Sequence, residues 1–382
     1  MNQEFAQGIA GYFSIIEDPR IDRKKQYKLI DIIVIAVLGA ICGAESWVEI
    51  ADFGKVREDW LNQILELSNG IPSHDTFGRV FSMISSVEFQ RSFMEWISSI
   101  CKVTKGEIVA IDGKTVRRSY SNEDNKGAIH MVSAWANQNG VVLGQIKTEE
   151  KSNEITAIPK LLEVLDIQDC IVTIDAMGCQ KDIAKKIIEK KADYVLAVKG
   201  NQKNLHQDIK DFLDDLDQGN FIEEQYHYDR YEQIEKDHGR IEMRRYLQSS
   251  DIDWLKERHK WVGLHSIGVV ESIVEDGEKR RTDRRYYISS LQENAKQFAK
   301  AVRNHWGIEN SLHWVLDVSF REDECRVRKN NAPENFAILR HIALNLIKMN
   351  KPEKISIRRS RKLSGWDNKY LAQILFGGGN KK

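Results

Sequence analysis

Two segments of this 382-residue chain put a carboxylate at the end of an apolar run. The first reads Glu107-Ile-Val-Ala-Ile-Asp112-Gly-Lys-Thr-Val116 and the second Cys170-Ile-Val-Thr-Ile-Asp175-Ala-Met-Gly178. Short β-branched runs bounded by turn residues read as buried strands. An ionised Asp at the edge of such a strand is costly unless something pairs with it. Two strands that set two Asp side by side make a cradle for a divalent cation. Each Asp alone has a plainer reading, as a turn former or a helix N-cap.

A third acid lies in the run Val302-Arg-Asn-His-Trp306-Gly-Ile-Glu309-Asn-Ser-Leu-His-Trp-Val-Leu316. The spacing predicts one long helix from Asn294 to about Val318, with positions 302, 306, 309, 313 and 316 on one face. Glu309 then sits among apolar Val302, Trp306 and Leu316 and needs a partner. A metal held by two Asp would serve, and so would a pairing with His305 or Arg303. Asp317, Glu322, Asp323 and Glu324 are rival acids that read as more solvated.

The elements that position these residues divide the chain into five stretches. Residues 1–103 read as all-helical, with helices over 29–44 and 46–67, a further helix capped by Ser73 or Asp75, and one carrying Phe89, Phe93, Trp96, Ile97 and Ile100. A helix-turn-helix for DNA could lie here, or the helices could only pack on one another. Residues 104–205 read βββαβαβ, with Asn137-Gln-Asn-Gly140 as a hairpin turn. That is the order of a ribonuclease-H-like α/β fold, in which the first and fourth strands are neighbours, so Asp112 and Asp175 would meet. Residues 206–294 read as a β-rich insertion, polar and helical at first, then strands at 240–246, 261–274 and 284–291. Residues 295–350 return to the core with the Glu309 helix. Residues 351–382 form a basic tail with Lys351, Lys354, Arg358, Arg359, Arg361 and Lys362, either solvated or touching phosphate.

Composition sets outer bounds. Formal net charge is zero, which argues mildly against a protein that merely coats nucleic acid. The five Cys are scattered without a CxxC pair, so no zinc site or disulfide framework is expected, and a reducing cytoplasm fits. No signal peptide is evident, and the 29–44 run contains Asp31 and is short for a membrane span.

Ile111-Asp-Gly-Lys114, Val172-Thr-Ile-Asp-Ala-Met177, Val198-Lys-Gly-Asn-Gln202 and His305-Trp-Gly-Ile-Glu-Asn-Ser-Leu-His-Trp314 together resemble the DDE transposases of bacterial insertion sequences, most closely the H-repeat-associated group. The resemblance runs over almost the whole chain. It implies a catalytic and metal-binding triad of Asp112, Asp175 and Glu309, and accounts for the 206–294 insertion. Many relatives carry a Lys seven positions after the Glu; here that position is Leu316, so a basic contact from it is not expected.

Three carboxylates can hold two Mg²⁺ ions about 4 Å apart across a scissile phosphate, with Mn²⁺ able to substitute. The implied activity is endonucleolytic cleavage at the terminal inverted repeats, then attack of the freed 3′-hydroxyl on target DNA. The expected partners are transposon-end DNA and target DNA, with a homodimer formed on DNA at the nucleoid. Lys114, His130, Lys199, Arg240, Arg303 and His305 are the DNA-contact candidates. The stretch His238-Gly-Arg240-Ile-Glu242-Met-Arg244 also resembles a family segment. Trp254 or Trp261 could stack on an unpaired base, although a core role suits a Trp better. Rival readings are a domesticated or inactive DNA-binding copy, a nuclease without strand transfer, and a phosphatase using Asp112 as nucleophile. Phosphatases of that kind usually carry a second Asp two residues on, where Lys114 stands here.

Overall fold

The structure is a computed structural model and describes residues 8–120, 127–149, 153–219, 226–237, 240–277 and 279–377. Nine strands run through it: β1 (Ile108–Thr115), β2 (His130–Ala136), β3 (Val141–Lys147), β4 (Ile171–Ile174), β5 (Asp193–Val198), β6 (Tyr228–Asp237), β7 (Arg240–Ser249), β8 (Ser266–Asp276) and β9 (Lys279–Ser289). They form one sheet in the order β3-β2-β1-β4-β5-β9-β8-β7-β6. β1 pairs antiparallel with β2 and parallel with β4, and β4 pairs parallel with β5. This is the ribonuclease-H-like arrangement. The insertion extends the same sheet, because β9 pairs antiparallel with β5.

The insertion differs from its sequence reading in two places. β6 pairs with β7 over its whole length, yet its run Tyr228-Asp-Arg-Tyr-Glu-Gln-Ile-Glu-Lys-Asp237 is too polar to announce a strand. Trp261 precedes β8 and is buried, with Tyr194 donating to the carbonyl of neighbouring Val262. Trp261 is therefore a core residue, while Trp254 tilts against Phe212 and donates to the Asp251 carbonyl.

Both faces of the central strands are covered, which explains their continuous apolar runs. Val109, Ile111, Val172 and Ile174 pack under α7 (Glu154–Val164), α8 (Lys181–Glu189) and α9 (Lys203–Asp217). Ile108, Ala110 and Ile171 face the other way, toward α10 (Ala295–Ile308) and α12 (Ala332–Asn350). Alternation along a strand puts Asp112 and Lys114 on this second face.

The N-terminal helices are α1 (Ile9–Phe13), α2 (Leu29–Cys42), α3 (Trp47–Val56), α4 (Glu58–Leu61), α5 (His74–Met83) and α6 (Ser86–Ile100). Ser46, Ser73 and Ser85 cap α3, α5 and α6 by accepting from the backbone three residues on. The expected single helix over 46–67 is instead two pieces, broken at Arg57. These helices share one core with α12, so α2 is sunk in protein. No single helix among the described residues is long and apolar enough to cross a membrane.

The expected basic tail is folded through residue 377, forming α13 (Ile357–Trp366) and α14 (Asn368–Phe376). Arg361 is buried, where it donates to the Ala40 and Ser319 carbonyls and stacks over Phe320. It is a structural cation and is not available to phosphate. Arg358, Arg359 and Lys362 stay exposed. Residues 378–382 of the tail lie outside the described residues.

Candidate metal centre and DNA-binding cleft

Asp112 is the fifth residue of β1 and Asp175 follows β4 directly. Ile111 and Ile174 are partners across the parallel pair, so the two acids leave the sheet side by side. Asp175 serves partly as the turn former its sequence also allowed, since Oδ1 accepts from the N–H of Met177 at 2.9 Å and of Gly178 at 3.3 Å. Asp175 lines the same cleft as Asp112 and Glu309, but it is not among the side chains whose donor atoms all come within 4.8 Å of one another. The loop after Asp175 is held from the short 3-10 turn Gly200–Gln202 that follows β5, where Asn201 donates to the Ala176 carbonyl at 2.6 Å and Gln202 to that of Cys179 at 3.0 Å.

Glu309 does not lie within one continuous α-helix. α10 ends at Ile308, residues Glu309–His313 form a π turn, and α11 (Trp314–Phe320) continues. Such wide turns often mark functional sites. The expected buried face fails at two positions, Trp306 and Glu309, which are exposed, and Trp306 lies before the π turn in the same regular helix as Val302. Val302 and Leu316 are buried, but Trp306 is 42% exposed, its ring under the Arg285 guanidinium at 5.2 Å. Leu316 belongs to the core and offers no basic contact. Close approach of α10 to the β1–β2 edge depends on Gly307, where a Cβ would collide with Asn137 Oδ1.

Asp112, Asp175 and Glu309 line one cleft of about 330 Å³, together with Thr173, Lys199, Arg285, His305 and Trp306. One donor atom each from Asp112, Glu309 and His313 lies within 4.8 Å of the other two. His313 Nδ1 is 3.5 Å from Asp112 Oδ2 and 3.5 Å from Glu309 Oε2, and its Nε2 is buried without a partner. Burial, with the Glu309 carboxylate beside it, pushes Asp112 up to about 8. The His313 imidazole holds Glu309 down to about 2. Two carboxylates this close cannot both ionise unless a cation joins them, so one keeps a proton. A donor set rich in carboxylate oxygen, forced to hold a proton and open to a cleft, suits a hard divalent cation.

The DNA-contact candidates divide. Lys199 is exposed at the cleft. His305 lines it too, with Nδ1 at 3.1 Å from Thr173 Oγ1, and burial lowers its pKa. Arg303 faces a neighbouring groove and pairs with Glu235 at 3.1 Å. His130 pairs in register with Thr115, which puts it on the opposite sheet face from Asp112. There it bonds Glu154 at 2.7 Å and Thr115 at 2.8 Å. Lys114 is on the right face but is enclosed by Asp317 (2.7 Å), Glu322 (3.0 Å) and Asp323 (3.4 Å). Those rival acids are therefore engaged, and Glu322 is buried where solvation was expected; only Glu324 is exposed. Arg240 opens β7, but its side chain lies outside the described residues, as do His238 and Gly239.

Sequence reasoning gave no role to His313 or Arg285. His313 could have been found from its place four residues after Glu309, one helical turn on. Arg285 had no such signal, because only sheet pairing of β9 with β5 brings it to the cleft.

The family description "Transposase DDE domain" matches residues 104–346, and "DDE_Tnp_1-associated" matches residues 10–97. YncI of Escherichia coli O157:H7, provisionally named a transposase, is 46% identical over 373 residues, covering 97% of this chain and 94% of its own length. YhhI of Escherichia coli (strain K12), provisionally named an H repeat-associated transposase, is 43% identical over 373 residues, covering 96% of this chain and 97% of its own. Among solved structures, the piggyBac transposase synaptic complex with hairpin DNA aligns at 12% identity and a TM-score of 0.43, over 97% of this chain and 76% of that one. The chain belongs to the DDE-domain transposase family, alongside H repeat-associated relatives.

Proposed function

We propose that this chain cleaves DNA at insertion-sequence ends and joins the freed 3′-hydroxyl to target DNA, with Asp112, Asp175 and Glu309 holding Mg²⁺, or Mn²⁺ in its place. The observation that carries the reading is the convergence of these three acids on one cleft, in a chain of the transposase family. The bound cation would polarise the scissile phosphate and neutralise the acids. The chain's own groups do the rest. Asp112 releases its proton when the site is loaded, and Glu309 stays ionised against His313. His305 stays neutral and braces the helix against Thr173.

A groove of about 1140 Å³ adjoins the cleft, and the two share Asp283, Arg285, Tyr287, Val302 and Trp306. Arg244, Lys279, Arg281, Arg285 and Arg303 line it against the acids Glu242, Asp276 and Asp283. That balance suits a phosphodiester backbone led toward the acids. Two ends paired in one complex would require a second copy of the chain on DNA, in the cytoplasm at the nucleoid.

The test is cleavage of DNA carrying the terminal inverted repeats, with wild type beside Glu309→Gln, with and without Mg²⁺. Metal-dependent nicking at the repeat ends, lost in the variant, is the expected result. Cleavage that survives the substitution would remove Glu309 from the triad. End binding without cleavage in either protein would leave a DNA-binding derivative, and neither binding nor cleavage would overturn the assignment.

A further inference from the structure

Lys114 is two residues beyond Asp112 on the same face of β1. Its ammonium meets three carboxylates that all come from the segment following Glu309: Asp317 on α11 and Glu322 and Asp323 just beyond it. Two further cations complete the cluster. Arg117 pairs with Asp323 at 3.2 Å, and Arg340 of α12 reaches Glu322 at 3.5 Å. Three cations thus face three anions, with Lys114 the only one of the three cations that touches all three acids. Burial keeps the neighbouring His341 neutral.

The π turn makes this meeting possible. Residues eight apart in a regular α-helix are rotated by about 80° (about 100° per residue). One extra residue in the wide turn removes about 100°, which brings Glu309, His313 and Asp317 onto one line facing β1. His313 and Glu309 then meet Asp112, while Asp317 meets Lys114.

We propose that Lys114 is a positioning residue for the metal centre: it ties the strand bearing Asp112 to the helix bearing Glu309 and so sets the separation of the two carboxylates. The inference rests on the proposed function, because it gives Lys114 a cation site to tune. It also removes Lys114 from the DNA-contact set, since a phosphate would have to displace three carboxylates.

The experiment is Mn²⁺ titration of the full-length, DNA-free protein, read by loss of the free-ion electron paramagnetic resonance signal. Wild type is compared with Lys114→Gln, Lys114→Arg and Asp317→Asn, each also measured for thermal unfolding and for binding to repeat-end DNA. Loss of the link is expected to raise the Mn²⁺ dissociation constant about tenfold in Lys114→Gln and Asp317→Asn. Lys114→Arg, which keeps the cation, should recover most of the affinity, and DNA binding should not change. A folded Lys114→Gln protein with wild-type Mn²⁺ affinity overturns the proposal, even if its unfolding temperature has dropped. If Lys114→Gln does not fold, Asp317→Asn decides, because it leaves Lys114 paired with Glu322 and Asp323 and removes only the ionic contact to α11. Weakened DNA binding with unchanged Mn²⁺ affinity would return Lys114 to the phosphate-contact role. Wild type that binds no Mn²⁺ removes the metal centre itself, and the proposal with it, a result distinct from variants that match a metal-binding wild type.

Discussion

Asp112 and Asp175 occupy equivalent positions on adjacent parallel strands, each following directly on one member of the Ile111–Ile174 pair. Backbone pairing, and not side-chain flexibility, therefore sets their separation. Exchanging either acid for its amide should leave the sheet intact while removing a charged ligand. Asp112→Asn is expected to cut metal-dependent cleavage by roughly a hundredfold or more, a loss at least as large as that seen for groups one shell further out. The same variant should be no less stable than wild type in the absence of metal, since it relieves the contest with Glu309. A clear drop in its chelator-treated unfolding temperature would contradict this account of the pair.

The shared proton gives a pH dependence with a definite sign. Asp112 is raised from 3.8 to about 8 by burial and the Glu309 carboxylate, so between those values the folded metal-free chain holds a proton that the unfolded chain has released. Stability from this group falls as pH rises through that window. The opposite contribution of Glu309, lowered to about 2, is already complete by pH 4.5 or so. His341, lowered to about 4 by burial, loses stability only as pH falls below 6.5. The interval from pH 6.5 to 8 thus isolates Asp112. Urea unfolding with EDTA should show wild-type stability declining there relative to Asp112→Asn. A parallel pair of profiles would sink the assignment.

Metal binding must displace the same proton. Mn²⁺ affinity should rise by up to about tenfold per pH unit toward pH 8 and then level off. Calorimetry in buffers of different ionisation enthalpy should report close to one proton released at pH 7. Release near zero would mean that both carboxylates are ionised before the cation arrives.

Gly307 lets α10 close on the hairpin at Asn137, which also donates to the Ile108 carbonyl at 3.2 Å. Gly307→Ala should gain a little helix propensity but displace the Asn137 side chain from the Ile108 carbonyl, for a net loss of about 1 kcal/mol. Because Glu309 is two residues on, cleavage should fall more than stability alone would account for. Chemical denaturation and nicking rates measured together check both halves, and a variant that is more stable and equally active would refute the close-packing argument.

Glu322 is a buried anion whose charge is met by Lys114 and Arg340, which hold its pKa low despite burial. Arg340→Met removes one of those cations and should cost about 3–5 kcal/mol, the range for a buried pair broken on one side. The double variant Arg340→Met with Glu322→Gln should recover part of that loss. No recovery in urea unfolding would show that Arg340 matters through its packing on Phe336 instead.

The sequence by itself determined the strand-borne acids, the βββαβαβ order and a cap at Ser73 or Asp75, of which Ser73 is the one used, because each depends on neighbours within a few residues. It also carried Glu309, which motif and helical spacing both single out. Tertiary structure decided what spacing cannot express. The π turn brought Asp317 to Lys114, while the packing of α10 left Trp306 exposed. Strand register put His130 on the far sheet face. Burial against α2 made Arg361 structural, and burial beside Lys114 and Arg340 did the same for Glu322. A charged residue reads as solvated until its partner is known, and here the partners lie up to 321 positions away along the chain.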